Sequence, residues 1–312
     1  MVTGMQRNLW EEFKGAFRKT NNGLIQLIII NGLVFLLLRV TEVVLALTGV
    51  TDATAGFHQG YLNLLGLPSD PGQLLLRPWT LITTFFTHYG FFHILFNMLF
   101  LYWFGRLVHD YLGNTRLMNL YILGGLAGGI LYIIIYNVSP LFVEEVGRSS
   151  LIGASASVFA IVVAAATLMP DHQFYLLLLG PVKIKYIAIF YVAMSFVGSI
   201  GPNAGGDIAH LGGALVGFIY VRQLQKGLDL GFWIQSVLDF FRSFFARPKV
   251  KVTHRSAPRS RPTAKSSASA QASTSSGVPQ DEIDAILDKI SEKGYESLTK
   301  EEKQKLFNAS NN

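Results

Sequence analysis

The sequence predicts an all-α polytopic membrane protein, a bundle of six transmembrane helices followed by a small helical module in a cytoplasmic tail. Half of the 312 residues are hydrophobic and only 15% are charged. The mean hydropathy is +0.37, although a long polar tail lowers it. Soluble proteins of this length rarely have such a composition. Six apolar segments, each near the length that crosses about 30 Å of hydrocarbon, complete the prediction.

The six predicted spans are apolar runs bounded by polar or charged residues. In chain order they cover residues 24–47, 91–108, 117–136, 151–169, 184–197 and 208–224. The fifth run is the shortest and the weakest of the six. An even number of spans places both ends of the chain on the same side of the membrane.

Basic residues set the orientation of these spans. They precede the first span, follow the second, precede the fifth and follow the sixth, and they are Arg7, Lys14, Arg18, Lys19, Arg106, Arg116, Lys183, Lys185, Arg222 and Lys226. The opposite connections contain little positive charge beyond Arg77 and Arg148. Because positively charged loops stay in the cytoplasm, both termini are predicted to be cytoplasmic.

Polar or amphipathic segments flank the predicted six-span domain, residues 24–226. Residues 1–23 form a mildly basic amphipathic lead-in without the small-residue cleavage site of a secretory signal, so we expect no cleaved signal sequence. Segment 227–248 combines aromatic and basic residues. That combination predicts an amphipathic helix at the membrane interface.

The tail divides into a linker and a module. Residues 249–279 are basic and rich in serine and alanine, which predicts a disordered linker that adheres to anionic lipid rather than to nucleic acid. Residues 280–312 predict two short helices, the second opened by a capping box of Thr299 and Glu302. Such a module is too small for a substantial core of its own, so we expect it to dock on an unknown cytoplasmic partner.

The residue inventory excludes several kinds of chemistry. The chain contains no cysteine, which rules out disulfides, thiolate nucleophiles and cysteine-ligated metals. It also lacks the HExxH pattern of zinc proteases. We therefore expect neither a metal ion nor an organic cofactor.

Polar residues cluster at one depth of the predicted bundle. His93 and Asn97, four residues apart, share one face of the second span near its outer end. Ser155 and Ser157 lie in the first two turns of the fourth span, and His210 lies in the first turn of the sixth. These three spans all run inward, so the five residues reach a similar level at about 1.5 Å per residue. Ionisable residues inside a bilayer are candidates for function.

The sixth span carries its histidine on the same face as two glycines, because His210, Gly213 and Gly217 follow i, i+3, i+7 spacing. Small residues mark close helix contacts, and the run GASA opens the fourth span. If the two surfaces meet, a serine hydroxyl and an imidazole can act as nucleophile and base. Spacing alone does not choose between Ser155 and Ser157, and a serine among small residues can equally serve helix packing.

Three motifs on alternate spans resemble the rhomboid family of intramembrane serine proteases. They are HYGFFHILFNMLFLYWFG at 88–105, GASASVFA at 153–160 and AHLGGALVG at 209–217, and the resemblance covers all six spans. It implies that Ser155 is the nucleophile and His210 its general base, in a dyad without a third acid.

The resemblance also assigns supporting roles. His93 and Asn97 match the pair that stabilises the oxyanion, together with the backbone N–H of Ser155. The other residues at supporting positions of the family are His88, Gly153, Phe159, Gly213 and Gly217. The implied activity is hydrolysis of a peptide bond in or beside the transmembrane helix of another membrane protein. The expected partners are therefore such substrates and the lipid bilayer.

Two positions depart from the family's pattern. Many members have Trp-Arg in the first loop, where this chain has Trp79-Thr80 with Arg77 just before it. Phe159 stands one turn after the serine, where many members have tyrosine. Its ring can still stack on His210, although it lacks a hydroxyl.

Other polar residues of the spans have simpler interpretations. Arg39 and Glu42, spaced i, i+3 and opposite in charge, predict a locally neutralised or snorkelling pair. Asp207 lies one turn before His210 and is interpreted as a helix-start acid rather than as a residue that orients the imidazole.

Two other functions remain alternatives to an outward-facing protease. The first is a catalytically weak or dead rhomboid-like protein that binds transmembrane helices for quality control. A dead relative is expected to lack Ser155 or His210, and this chain has both. A transporter is expected to have internal repeats and broken helices near the bilayer centre. Here the polar residues cluster near one surface, so the sequence favours the protease with its active site near the outer face.

Overall fold

The structure is a computed structural model that describes residues 14–17, 19, 21–49, 51–176, 180–245, 280–293 and 297–310. Most of the predicted lead-in and the whole predicted linker, 249–279, lie outside the described residues. The chain divides into two units, Met1–Arg247 and Pro248–Asn312.

Within the described residues the elements of the first unit are α1 (Gly23–Leu47), α2 (Thr51–Leu65), β1 (Leu67–Pro68), α3 (Pro71–Leu76), α4 (Thr80–Thr83), α5 (Phe91–Leu112), α6 (Asn114–Val138), β2 (Ser150–Leu151), α7 (Ser155–Leu168), β3 (Gln173–Leu176), β4 (Gly180–Lys183), α8 (Ile184–Gly198), α9 (Ala204–Leu224) and α10 (Phe232–Phe245). Single 3₁₀ turns lie at Thr84–Phe86 and Val143–Glu145. The second unit contains α11 (Gln280–Lys293) and α12 (Lys300–Ser310). β1 pairs antiparallel with β2, and β3 with β4.

Four of these helices, α1, α5, α6 and α9, are long and apolar enough to cross a membrane. α7 and α8 are apolar but have only 14 and 15 residues, about 21 to 23 Å at 1.5 Å per residue. The predicted helical membrane bundle is confirmed, and the chain is an integral membrane protein. The count of six spans stays a prediction.

The fourth apolar segment begins differently from the predicted 151–169. Leu151 lies in β2, opposite Leu67, and α7 begins only at Ser155. Gly153 between them has φ +126°, a left-handed backbone conformation that favours glycine and does not continue a helix. The first amides of α7 consequently have no partners within the helix.

α7 lies at the centre of the bundle, where small residues let its neighbours approach closely. A Cβ atom on Gly213 or Gly217 of α9 would collide with the carbonyl oxygens of Ala156 and Ala160 in α7. From the other side, a Cβ atom on Gly124 of α6 would collide with the Cβ of Ala160. The small faces of the fourth and sixth predicted spans therefore do meet.

The charged pair in α1 also anchors α2. One carboxylate oxygen of Glu42 pairs with Arg39, and the other lies 3.4 Å from Nδ1 of His58 in α2. The Tyr61 hydroxyl is 3.0 Å from the same histidine nitrogen. The pair is neutralised locally, as predicted, and it gains a contact to the next helix that the spacing did not indicate.

Hydrogen bonds fix α10 to the bundle. Asp229 accepts a 2.9 Å hydrogen bond from the Tyr220 hydroxyl of α9 and lies 3.5 Å from the Arg116 guanidinium of α6. Gln235 of α10 donates to the Asn119 side chain of α6 at 3.2 Å. A helix forms in the predicted segment 227–248, and its position at a membrane interface stays a prediction.

The second unit is a helical hairpin with the expected cap. The Thr299 N–H donates to the Glu302 carboxylate at 2.8 Å, and the Glu302 N–H donates to the Thr299 hydroxyl at 3.3 Å. The Lys289 ammonium of α11 donates to the same carboxylate at 2.9 Å. This contact and the hydrogen bond from the Thr299 N–H lower the pKa of the Glu302 carboxyl to about 2. Ile286 and Leu298 are buried in the hairpin.

Candidate active site

A cavity of about 730 Å³ opens near the N-terminal ends of α5, α7 and α9. Its lining includes His93, Asn97, Ser155, Phe159 and His210. The structure thus brings together, from three helices, the nucleophile, the base and the oxyanion pair that the sequence predicts. Their chemical roles stay predictions.

Ser155 is the first residue of α7 and follows a loop that Thr84 holds in place. The Thr84 carbonyl accepts a hydrogen bond from the Gly153 N–H at 2.9 Å, and its hydroxyl donates to the Leu151 carbonyl at 2.6 Å. Amides at a helix start lack partners within the helix. The Ser155 N–H is therefore a candidate donor to an oxyanion, beside its own hydroxyl.

The structure separates the two serines that spacing left open. Ser155 lines the cavity, whereas Ser157 is completely buried and its hydroxyl has no hydrogen-bond partner among the described residues. A Cβ atom on Gly124 of α6 would lie only 3.2 Å from the Cα of Ser157. Ser157 is accordingly a packing residue at the α6 contact, and the cavity favours Ser155 as nucleophile.

His210 contacts residues from three helices. Its ring stacks on Phe159 of α7, with centroids 4.2 Å apart and planes inclined by 9°. Its Nδ1 lies 3.0 Å from the Ser195 hydroxyl of α8 and 3.5 Å from the Asp207 carboxylate of α9. These contacts occupy Nδ1, so Nε2 is the ring nitrogen left to act as a base.

Ser155 and His210 share the cavity without a direct hydrogen bond between them in the described part of the chain. Catalytic hydrogen bonds are often long in a free enzyme and shorten when substrate binds. The predicted nucleophile and base thus line one cavity, and we expect substrate binding to bring them into hydrogen-bond contact.

His93 lies against the serine loop. A Cβ atom on Gly153 would be 2.9 Å from Cε1 and Nε2 of His93 and 3.6 Å from the Ser155 hydroxyl oxygen. Only glycine at this position lets the imidazole approach the serine so closely. Asn97, one turn further along α5, donates one amide hydrogen to the His93 carbonyl at 2.8 Å, and its amide has a second hydrogen to offer.

His88 contacts the serine loop from behind the residues that line the cavity. It is buried, and its Nε2 accepts a 3.3 Å hydrogen bond from the Ala154 N–H. Burial, aided by the nearby His93, lowers the pKa of His88 to about 3, so the ring stays neutral and can accept that bond. His88 lies outside the cavity lining and positions the residue that precedes Ser155.

Comparisons with known proteins concern the same part of the chain. A model of the Rhomboid domain matches residues 76–226. RHOMBOID-like protein 12, mitochondrial, of Arabidopsis thaliana is 29% identical over 234 residues, which cover 72% of this chain and 65% of that protein. These comparisons place residues 76–226 of the chain in the rhomboid family. The predicted resemblance is thereby confirmed.

Other rhomboid relatives match over shorter stretches. Presenilin-associated rhomboid-like protein A, mitochondrial, of Danio rerio is 29% identical over 208 residues, covering 58% of this chain and 52% of that protein. Rhomboid protein 1, mitochondrial, of Saccharomyces cerevisiae is 30% identical over 159 residues, covering 48% and 43%. The matched part of the chain covers 43% to 65% of the length of these three relatives. A model described as a family of unknown function, DUF6576, matches residues 278–312.

The departures from the rhomboid pattern have structural counterparts. The Trp79 indole N–H donates to the Leu64 carbonyl at 2.8 Å, and the Arg77 guanidinium donates to the Asn63 carbonyl. Both residues fasten the end of α2 to the segment that leads into α4, while Thr80 is buried. Phe159 retains the stacking contact with His210 described above.

Ser195 is the residue near the rhomboid site that sequence reasoning missed, and Asp207 was interpreted too narrowly. Ser195 is 3% exposed and faces His210 from α8. The available signal was weak, namely one serine in the shortest apolar run. Asp207 does open α9, as predicted, but its carboxylate also faces Nδ1 of His210.

Proposed function

We propose that this rhomboid-family chain is an intramembrane serine endopeptidase that cleaves transmembrane segments of other membrane proteins with Ser155 and His210. One observation carries the proposal: Ser155, His210, His93 and Asn97 line a single cavity although they come from three helices. Nucleophile, base and oxyanion donors are the groups that acyl transfer requires.

The reaction follows from these positions. Nε2 of His210 takes the proton of the Ser155 hydroxyl, whose oxygen attacks the substrate carbonyl carbon. The negative oxygen that forms receives hydrogen bonds from the Ser155 N–H, His93 and Asn97. The imidazolium then protonates the departing amine, which leaves an acyl-enzyme. Water, activated in turn by His210, hydrolyses the acyl-enzyme.

Ser195 and Asp207 act as positioning residues in this proposal. A hydrogen bond at Nδ1 fixes the tautomer and the ring plane of a catalytic histidine. The Ser195 hydroxyl supplies that bond at 3.0 Å. The Asp207 carboxylate, at 3.5 Å, faces the positive charge that the imidazole acquires during the reaction. The proposed mechanism needs no metal or cofactor.

The test is cleavage of single-span reporter substrates by the purified full-length chain in detergent. Ser155→Ala should abolish cleavage and labelling by a fluorophosphonate probe. Ser157→Ala is the matched control, because it removes a hydroxyl two residues away that has no hydrogen-bond partner in the described part of the chain. It should retain wild-type activity and stability. Full activity in Ser155→Ala would disprove the mechanism.

The lack of a direct hydrogen bond between Ser155 and His210 among the described residues is the observation behind one alternative, a rhomboid-like protein that binds transmembrane helices without cleaving them. Under that alternative, wild type and Ser155→Ala retain the same single-span substrates with equal affinity and neither produces fragments. The fluorophosphonate probe then labels neither protein.

A further inference from the structure

A second groove, of about 710 Å³, lies between α7, α8 and α9. Its walls are mainly apolar side chains of α8 and α9, among them Ala188, Ile189, Val192, Phe196, Leu211 and Phe218. Its lining shares Val163 with the active-site cavity but includes none of the proposed catalytic residues.

The groove has one polar end. Lys185 is the second residue of α8 and Arg222 lies in the last turn of α9, so both cations enter the lining at the same end of the bundle. From Arg222 to Leu211, α9 extends about 16 Å at 1.5 Å per residue. That length matches the hydrocarbon of one leaflet, about half of 30 Å. The groove therefore has cations at the level of the headgroups and apolar walls along a single leaflet.

The polar end of the groove carries a net positive charge even when its ion pairs are counted. Lys183 and Lys185 both lie 2.9 Å from one carboxylate oxygen of Asp171. The two lysines, Lys185 first, hold the pKa of Asp171 at about 2, so the carboxylate stays ionised. Arg222 adds a third positive charge at this end of the groove, against the single negative charge of Asp171. The excess positive charge needs a counter-ion from outside this cluster.

We propose that this groove is a binding site for an anionic glycerophospholipid of the leaflet on the basic side of the membrane. The phosphate lies between Lys185 and Arg222, and an acyl chain follows the apolar walls of α8 and α9. Clusters of basic residues between transmembrane helices favour anionic headgroups. A zwitterionic lipid also carries an ammonium group, which the excess positive charge would repel. The site is independent of the proposed protease activity.

The experiment is native mass spectrometry of the purified full-length chain after exchange into equal amounts of phosphatidylglycerol and phosphatidylcholine with identical acyl chains. We expect wild type to retain phosphatidylglycerol at least about tenfold better than phosphatidylcholine. The variant Lys185→Gln/Arg222→Gln should lose this preference. Lys185→Arg/Arg222→Lys, which keeps both charges, should retain it.

Lys19→Gln/Arg106→Gln is the matched control. It removes the same charge from the same predicted face at residues that do not line the groove, and it should keep the preference of wild type. Thermal midpoints establish that each variant is folded. Equal retention of both lipids by wild type, or the same loss of preference in the control, would overturn the proposal.

Discussion

At the scale of single residues, the orientation of the His210 imidazole depends on contacts from several helices. Phe159 sets the ring plane of His210 by stacking, while Ser195 and Asp207 contact Nδ1. These three residues lie on three different helices. The base is therefore correctly placed only when α7, α8 and α9 are packed together.

Ser195→Ala should lower the kcat for cleavage about fivefold to tenfold, the effect of losing one hydrogen bond worth about 1 kcal/mol. KM should change little, because Ser195 does not line the substrate cavity. Fluorophosphonate labelling should slow by the same factor, and Ser195→Thr should restore both rates. Ser199→Ala is the control, since within the described residues the Ser199 hydroxyl donates to the Phe196 carbonyl of α8 and does not contact His210. A rise in KM with unchanged kcat would contradict the positioning role.

The two serines show how far sequence reasoning reaches at this scale. Helical geometry places Ser155 and Ser157 about 200° apart, so one faces the cavity and the other the core. Which one faces the cavity depends on where α7 starts and on what packs against it. Those are tertiary properties, set here by the left-handed Gly153 and by Gly124 of α6. The family resemblance, rather than the spacing, pointed to Ser155.

At the scale of elements, the contact between α7 and α9 depends on glycines that have no room for a side chain. The sequence indicated this contact because small residues recur on the histidine face. It did not indicate the short pairing of β1 with β2, since two-residue strands leave no periodic signal. The predicted start of the fourth span was too early for the same reason.

Gly217→Ala should lower the thermal midpoint in detergent, because the new methyl group collides with the Ala160 carbonyl of α7. Overpacking of this kind costs about 1 to 3 kcal/mol. Gly32→Ala in α1 is the matched control, since a Cβ atom there has open space around it. Alanine is favoured over glycine in a helix by up to about 1 kcal/mol, so this control should be neutral or stabilising. Equal midpoints for the two variants would contradict the packing argument.

At the scale of the whole molecule, the proposed topology separates catalysis from the tail. The polar cavity is expected near the outer face, while the charge distribution predicts that both termini are cytoplasmic. The tail hairpin has its own capping box and ion pairs, and it matches a family model separate from the Rhomboid domain. We therefore expect the module to act on location, abundance or partner binding rather than on the chemical step.

Deletion of residues 252–312 should leave cleavage of a reporter substrate in detergent within a few-fold of wild type. Deletion of residues 228–312 should behave differently, because it also removes Asp229 and Gln235, which bind Tyr220, Arg116 and Asn119 of the bundle. Tyr220 lies on α9, the helix that carries His210. Loss of Asp229, the hydrogen-bond partner of Tyr220, should lower the thermal midpoint. The fraction of active protein should fall as a result.

The two deletions are compared at equal protein concentration in one detergent, with fluorophosphonate labelling to count active sites. A shorter deletion that stays folded and labelled but no longer cleaves would show that the tail controls catalysis across the membrane. That result would contradict the separation of functions proposed here. If only the longer deletion loses stability, α10 and the turn before it are part of the folded bundle and the module beyond them is not. Only the longer deletion removes the contacts of Asp229 with α9 and α6 and of Gln235 with α6.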